Sequence, residues 1–350
     1  MLLKNTNIKL IKSIALSSLF AMAGCSLINE DLPECTDLLQ VKFIYDYNLK
    51  FSNAFPHEVK SVNVWAFDQS GAFVWSGSAS GEALSEEGFA IDTPLPAGTY
   101  DFISWCGLKD NADFNLATFT PKSKEELEVR LKTSETGSMN VSRSFLPGLY
   151  HGMVANHRYD VNPNANSIET VTIPLIKDTN NIRVLLQRYN GEEISADDFE
   201  VMMTIPDAWL EWNNSVMPEG PTVTYQPWET KFGQATMPDA ATQPKEITSI
   251  SSLLYEFSSS RLIADANATL TVRRTSDNKD IIRIPIIEYF LMVKGHYLNP
   301  DGSPLTDQQY LDRQDDYSIL FFIDENNDWY MGYGIYINKW AVVPPQSQPL

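Results

Sequence analysis

The amino-acid sequence predicts an all-β protein built from β-sandwiches, with only a few short helices. Short segments in which apolar and polar residues alternate recur along the chain, and turn-forming residues separate them. Long stretches with helical periodicity are scarce, and strands do not alternate with helices as they do in parallel α/β folds. Many short strands without that alternation favour sandwiches.

The predicted strands carry apolar side chains at every second position, which places those side chains on one face of a sheet. A final hairpin pairs residues 318–323 with residues 329–338 across an acidic turn at residues 324–328. The alternating apolar positions of the other strands are Leu39, Val41, Phe43 and Tyr45; Leu127, Val129 and Leu131; Val171, Ile173 and Leu175; Ile182, Val184 and Leu186; Val201, Met203 and Ile205; and Leu270 and Val272.

Two short helices are predicted in the second half of the chain. One begins at Thr306, where Gln309 stands three residues later and completes a capping box. The second is expected near residues 250–257. Neither is long enough to change the all-β class.

The N-terminus has the three parts of a secretory signal. Lys4, Lys9 and Lys12 form a basic leader, and residues 14–23 are an apolar run too short to span a bilayer. Ala23-Gly24 then precedes Cys25, an arrangement that predicts acylation of Cys25 and removal of residues 1–24. The alternative is an ordinary secretory signal in which the cysteine is incidental.

A lipid on Cys25 places the protein in the outer membrane of a bacterium, where more than one acyl chain gives stable attachment. Glu30 and Asp31, shortly after Cys25, resemble signals for export to the cell surface. We therefore expect a lipid-anchored outer-membrane protein that is exposed on the surface, although the residues leave a periplasmic orientation open.

The charge of the chain excludes several classes of partner. The formal net charge is −19, and removal of the leader with its three lysines leaves 23 basic against 45 acidic residues, a net charge of −22. Nucleic acid is a poor partner for such a surface, and so is an anionic membrane face. The acidic residues are interspersed with aromatic ones, which is typical of a folded body.

The length and turn pattern of the mature chain favour two domains, because 326 residues exceed the usual size of one core. The predicted boundary is the polar turn at residues 177–181, between two apolar strands. It divides the chain into a lipidated linker at residues 25–37, domains at residues 38–177 and 178–340, and a proline-rich tail at residues 341–350.

Two cysteines, Cys35 and Cys106, remain besides Cys25. A disulfide between them is allowed in an oxidising compartment and would close a loop of about 70 residues, worth about 4 kcal/mol in the chain-entropy model. The alternative is two separate buried thiols. No zinc site is expected, because the spacings CxxC and HxxxH do not occur.

The sequence offers no support for catalysis, so we expect neither an enzyme nor a cofactor. Its four histidines, His57, His151, His157 and His296, are dispersed, and no nucleophile elbow or phosphate-binding loop is present. Residues 324–328 begin like a calcium loop. Trp329 stands at the sixth position in place of glycine and Ile335 at the twelfth in place of glutamate, which favours a hairpin turn without metal.

An aromatic cluster leaves a second function open. Trp209, Trp212, Tyr225 and Trp228 lie close together in sequence and could stack on sugar rings. Aromatic enrichment also suits ordinary packing in a sandwich. The alternative function is therefore a surface lipoprotein that binds glycans for a polysaccharide-uptake system.

Several segments together carry a resemblance to a known family. In order they are CSLINEDLPEC, LLQVKFIYDYNLKFSNAFPHEVKSVNVWAFDQSGAFV, GTYDFISWCGL, VTIPLIKDTNNIRVLLQR and WYMGYGIYINKW. They resemble the fimbrillin-associated anchor lipoproteins of anaerobic Gram-negative bacteria, from Cys25 to about Trp340.

The resemblance implies two tandem transthyretin-like Greek-key β-sandwich domains. It implies a non-enzymatic, membrane-proximal subunit that holds a fimbria on the cell, limits its length and has fimbrial structural subunits as partners. Cys25 matches the acylated cysteine of the family, although Met22 departs from the usual residue before the small pair.

The resemblance also implies how the anchor joins the fibre. Related stalk subunits lose an N-terminal strand to proteolysis, which opens a groove for a neighbour's strand. Loss of residues 39–47 here would detach the lipid, so we expect the anchor to keep that strand and to donate its C-terminal end. Ile335, Ile337 and Val342 are the predicted apolar anchors of that donation. In the competing interpretation residues 329–340 close the second domain and only the tail is free.

Overall fold

The computed structural model of the chain describes residues 38–109, 111–160, 168–236 and 249–342. Within those ranges the predicted all-β class is confirmed, because strands dominate and the α-helices are short. The helices are α1 (Phe55–Glu58), α2 (Ile286–Leu291) and α3 (Asp307–Arg313). None of the helices in the described ranges has the length and apolar character needed to cross a membrane.

The strands of the first half of the chain lie between Leu38 and Lys177. They are β1 (Leu38–Ile44), β2 (Ser61–Asp68), β3 (Phe73–Ser80), β4 (Ile91–Thr93), β5 (Gly98–Cys106), β6 (Phe114–Leu116), β7 (Val129–Leu131), β8 (Ser134–Thr136), β9 (Met139–Ser142), β10 (Tyr150–Tyr159) and β11 (Ile168–Lys177).

The strands of the second half lie between Asn180 and Val342. They are β12 (Asn180–Arg188), β13 (Phe199–Ile205), β14 (Trp209–Leu210), β15 (Val223–Tyr225), β16 (Glu229–Thr236), β17 (Ser249–Ser259), β18 (Thr269–Arg274), β19 (Lys279–Pro285), β20 (Asp316–Ile323), β21 (Ile335–Ile337) and β22 (Trp340–Val342).

These strands form four sheets. A seven-stranded sheet has the order β3-β2-β5-β10-β11-β1-β4, and a six-stranded sheet has the order β16-β17-β12-β20-β21-β22. A second six-stranded sheet has the order β19-β18-β13-β15-β9-β8, and a small sheet has the order β14-β7-β6. The last two contain strands from both halves, because β9 pairs with β15 and β7 pairs with β14.

Alternation along the strands builds two hydrophobic cores. One core lies on a single face of the seven-stranded sheet and includes Leu39, Val41 and Ile173. The larger core lies between the two six-stranded sheets, which together form a sandwich, and extends to Trp65 and Trp105 on the opposite face of the seven-stranded sheet. The predicted apolar positions are therefore buried as period-two alternation requires.

The two helix predictions had opposite outcomes. The helix after Thr306 is confirmed as α3: the Thr306 side chain accepts a hydrogen bond from the Gln309 N–H, and the Gln309 side chain accepts one from the Thr306 N–H. The prediction of a helix at residues 250–257 was wrong, because those residues lie in β17. β17 pairs with β12 on one side and β16 on the other, and its alternating Leu253, Tyr255 and Phe257 are buried.

The predicted C-terminal hairpin is confirmed with one interruption. Ile319 pairs with Ile337 across the hairpin, and Asp324 Oδ1 accepts the backbone N–H groups of Asn326 and Asp328 in the turn. A 3₁₀ turn at Met331–Tyr333 breaks the returning strand and ends at Gly334, whose φ of 73° suits glycine.

Candidate functional site

The junction between the two halves is built around the buried carboxylate of Asp178, which lies between β11 and β12. Asn214 Nδ2 donates to Asp178 Oδ1 at 2.9 Å, and Arg261 Nε lies 3.7 Å from the same oxygen. Arg261 also donates to both oxygens of Asp312, at 2.9 and 2.8 Å, and to the carbonyl of Asn214. One guanidinium thus connects residues near β11, in the loop after β14 and in α3.

Burial shifts the pKa values of two groups at this junction. Desolvation raises the pKa of Asp178 to about 7, although the nearby Arg261 and the hydrogen bond from Asn214 act in the opposite direction. Desolvation lowers the pKa of His151 to about 4, and the ring is held by a 2.8 Å contact between Nε2 and the carbonyl of Trp212. At neutral pH His151 is therefore uncharged.

The loop after β1 is held against α3 by contacts with Arg313. The guanidinium of Arg313 lies 3.8 Å from the ring centroid of Tyr47 and 4.8 Å from that of Phe51. The backbone N–H of Leu49 donates to the Arg313 carbonyl at 3.2 Å. Lys177 pairs with Asp315 nearby. These contacts join the loop after the first described strand to the second half of the molecule.

β1 itself lies inside the seven-stranded sheet. It runs parallel to β11, from the Leu38–Ile168 pair to the Ile44–Pro174 pair, and antiparallel to β4 through Leu39. Its main chain is therefore paired with β11 throughout and with β4 as well at Leu39–Val41, and the predicted first strand is present.

The C-terminal end of the described chain lies at a sheet edge. Ile335 and Ile337 are buried in the larger core and paired with β22, so they cannot serve as free anchors of a donated strand. Their prediction as donor residues is corrected for that reason, and the interpretation of a closing strand describes them better. Ala341 and Val342, which were predicted to belong to the free tail, pair with Tyr336 and Ile335 in β22. The tail beyond β22 is therefore residues 343–350, which lie outside the described ranges.

The four aromatic residues considered for glycan stacking do not form a common platform. Tyr225 is buried and donates to Asp207 Oδ1 at 2.8 Å. Trp209 lies under the guanidinium of Arg130, and Trp212 under the ammonium of Lys124. Trp228 packs edge-on against Phe145. These contacts correspond to the packing interpretation.

The histidines, which are the candidate metal ligands, lie in separate places in the structure. The described ranges contain no group of three His, Cys, Asp or Glu residues that could hold a metal ion. His157 lies 3.1 Å from Glu169, and His296 stacks on Trp340 with a centroid distance of 3.6 Å. His57 is the third residue of α1, and its carbonyl accepts a hydrogen bond from Lys60 Nζ.

The three cysteines fall on different sides of the described boundary. Cys106 is buried at the end of β5, its Sγ lies 3.2 Å from Ser104 Oγ, and burial raises the pKa of its thiol to about 12. Cys25 and Cys35 lie outside the described residues. Lipidation of Cys25 and a bridge from Cys35 to Cys106 therefore stay predictions.

The junction residues were not found from the sequence. The polar turn at residues 177–181 was identified as a boundary, and a single aspartate between two apolar strands was the available signal for Asp178. Arg261 and Asp312 carry no comparable signal, because they lie 83 and 134 positions further along the chain and meet Asp178 through folding alone.

Comparisons with known proteins indicate a single family. The family model described as fimbrillin-A associated anchor proteins Mfa1 and Mfa2 matches residues 32–343. No curated protein matches the chain in sequence.

Solved structures resemble the chain over most of its length. A putative adhesin from Bacteroides thetaiotaomicron is 31% identical with a TM-score of 0.73, and the match covers 89% of this chain and 99% of the adhesin. Putative polysaccharide binding proteins from the same organism are 26% identical, with a TM-score of 0.71 and the same coverage. The fimbrial anchor protein Mfa2 from Porphyromonas gingivalis has the same fold at 16% identity, with a TM-score of 0.62 and coverage of 88% and 99%.

Proposed function

The chain belongs to the family of fimbrillin-A associated anchor proteins, and we propose that it is an outer-membrane lipoprotein that holds a fimbria on the cell surface and limits its length. The family is structural, so the chain has a fimbria-associated and non-enzymatic role. The proposal adds the lipid on Cys25, the control of length and the mode of joining.

The observation that carries the proposal is the position of β1. A lipid on Cys25 would be connected to β1 through residues 26–37, and β1 is paired with β11 along its whole length and with β4 at Leu39–Val41. A pull on the lipid is then resisted by many hydrogen bonds at once, because the strand must slide past β11 for the sheet to open. An anchor requires such a connection.

Control of length follows from the same strand. Fibres of this kind grow when each subunit offers two complementary surfaces, and growth ends at a subunit that offers one. Because β1 occupies its place in the sheet, that place is closed to a neighbour's strand. The remaining way to join is donation, and after the correction to Ile335 and Ile337 the donor is the tail that follows Val342.

The experiment replaces Cys25 with alanine and scores where the fimbriae are found. Cys25→Ala should lose labelling by a palmitate analogue and release fimbriae into the medium, and deletion of the whole chain should release fimbriae that are longer. Cys106→Ser is the matched control, since it changes a cysteine and leaves the lipid. Equal palmitate labelling of Cys25→Ala and wild type would refute the attachment.

Donation is tested by a truncation after Val342, which leaves β22 intact. The truncated lipoprotein should reach the outer membrane and retain its fold, and fimbriae should be shed. Full retention of fimbriae would show that the tail is dispensable and that joining uses another surface.

A further inference from the structure

Five aromatic side chains form a contiguous group beside the C-terminal edge of the sheet that contains β20, β21 and β22. We name this group the aromatic patch; its members are Tyr189, Phe322, Tyr330, Tyr333 and Tyr336. Tyr189 stacks on Tyr330 at 4.5 Å, and Tyr333 lies 5.3 Å from Tyr330 and 5.2 Å from Phe322. Phe322 also lies 6.2 Å from Tyr336.

The aromatic patch is partly exposed to solvent. Its members Tyr333 and Tyr336 are 50% and 37% exposed, and Tyr189, Phe322 and Tyr330 are half-buried. Met331 in the same turn and Trp340 in β22 are not members of the patch but are also exposed. Four of the large exposed apolar side chains therefore fall within ten consecutive residues, whereas the others are scattered over the molecule. Soluble surfaces seldom concentrate apolar area in this way unless a partner covers it, and tyrosine is enriched at the centres of such interfaces.

The backbone beneath the aromatic patch is held in one conformation. The Tyr330 N–H donates to the Phe322 carbonyl at 2.8 Å, and the Gly334 N–H donates to the Met331 carbonyl at 3.1 Å. A Cβ at Gly332 would lie 2.8 Å from the ring of Tyr330, so the ring packs directly on the turn. A surface that is already ordered loses little entropy on binding.

The charge next to the aromatic patch indicates the partner's chemistry. The turn after β20 carries Asp324, whose Oδ1 accepts two backbone N–H groups, and Glu325, which is hydrogen-bonded to Tyr189. Neither carboxylate forms an ion pair with a lysine, arginine or histidine in the described part of the chain. Asp328, in the same turn, is paired with Arg274 and Lys279. A partner that covers the aromatic patch should therefore present an apolar centre with basic residues at its rim.

The position of the aromatic patch identifies which partner that is. Tyr336 pairs with Ala341 across β21 and β22, and residues 343–350 follow directly after Val342. Eight extended residues, 343–350, span at most about 28 Å. A subunit that holds those residues in its own sheet must lie within that distance of Val342, and the aromatic patch is an exposed apolar surface beside that strand.

We infer that the aromatic patch is the docking surface for the fimbrial subunit that receives the tail. This inference rests on the proposed function and adds a second contact to it. The strand exchange then supplies main-chain hydrogen bonds, and the aromatic patch fixes the angle between the anchor and the first subunit of the fibre.

The test compares two double variants of the full-length lipoprotein. Met331→Ser with Tyr333→Ser removes the most exposed part of the turn, and Phe119→Ser with Phe232→Ser is the matched control. Phe119 and Phe232 are 56% and 51% exposed but lie away from β22, on the first half of the chain and on the opposite edge strand β16. Each protein, solubilised in detergent, is titrated with fimbriae sheared from a strain that lacks the anchor.

We expect the patch variant to bind sheared fimbriae at least tenfold more weakly, with unchanged palmitate labelling and an unchanged circular dichroism spectrum. The control should bind as wild type does. Affinity within twofold of wild type for the patch variant would overturn the inference. So would a wild-type dimer that the patch variant converts to monomer without loss of fimbrial binding, since the patch would then join two copies of this chain.

Expression in a strain that lacks the anchor distinguishes failure of the proposed function from failure of the docking surface. If wild type fails to restore cell-bound fimbriae, the proposed function fails. If wild type and the patch variant restore them equally, the proposed function stands and the docking surface is refuted. Tyr336→Lys is a second variant within the sheet, where an exposed position tolerates lysine, and it should weaken binding in the same direction.

Discussion

β1, the first strand of the described chain, lies between two partner strands, whereas β22, the last, pairs along three residues with a single partner. Leu39 and Val41 of β1 are buried, whereas Trp340 and Ala341 of β22 are exposed. Local stability follows the number of buried contacts and protected hydrogen bonds. The N-terminal strand can therefore separate only when its sheet opens, and the C-terminal strand can separate alone.

This difference matches two different tasks in an anchor. In the proposed function the N-terminal end carries the lipid and transmits load, which suits an inner strand because its hydrogen bonds are loaded together. In the same proposal the C-terminal end meets the fibre, and a short edge strand beside an exposed surface can adapt to a partner at small cost to the fold.

The largest expected effect contrasts the introduction of an aspartate into each of the two strands. Val41→Asp places a charge in the core without a partner and removes an apolar side chain, and should lower the free energy of unfolding by about 5 kcal/mol. Ala341→Asp should change it by less than about 0.5 kcal/mol. Urea denaturation of the mature protein measures both. Similar losses from the two variants would contradict the difference between the ends.

The next effect concerns the junction that lies between the two ends. Arg261→Met leaves the carboxylates of Asp178 and Asp312 buried without their cation and should cost about 3–5 kcal/mol.

Arg273→Met is the matched control for the junction variant. Arg273 pairs with Asp280 at 2.7 Å, but both side chains are partly exposed, so its loss should cost less than about 1 kcal/mol. Equal losses of unfolding free energy in the two arginine variants would mean that burial does not increase the contribution of the Arg261 ion pairs to stability.

Local patterns in the sequence predicted the elements that depend on local physics. Alternation placed Leu39 to Tyr45 and Ile182 to Leu186 on buried faces, and the capping box at Thr306 located the start of α3. The helix prediction at residues 250–257 was wrong because SISSLLYEF contains adjacent apolar residues that suit either the helical or the strand period. Pairing with two neighbouring strands decides the outcome.

The features that sequence reasoning missed are all non-local. The pairing of β9 with β15 joins residues more than 80 positions apart, and no turn motif encodes it. The ion pairs of Arg261 likewise exist only once α3 and the turn before β12 have met. The 3₁₀ turn beneath the aromatic patch contains Gly332 and Gly334, which indicate a break in a strand but not its shape.

The smallest expected effect is a dependence of stability on pH that arises at the junction. The pKa of Asp178 is raised by burial from 3.8 to about 7, so between these values the folded protein holds a proton that the unfolded chain has released. Stability from this group is present below pH 4 and is lost as the pH rises to 7. The pKa of His151 is lowered by burial from 6.5 to about 4, and its contribution therefore increases with pH over pH 4 to 6.5.

Asp178→Asn isolates the first contribution, because His151 is common to both proteins and cancels in the difference. The stability of wild type relative to Asp178→Asn should fall by at most about 1.4 kcal/mol for each pH unit between pH 4.5 and 6.5, and level off above pH 8. Asp277→Asn serves as the control: Asp277 is exposed and its hydrogen bond with Arg274 lowers its pKa to about 2, so its difference from wild type should be constant over this range. Parallel profiles of wild type and Asp178→Asn would show that Asp178 does not titrate there. Because Asp178 adjoins β11, the partner of β1, the hydrogen-exchange protection factors in β1 should follow the same pH dependence, and those in β22 should not change with pH.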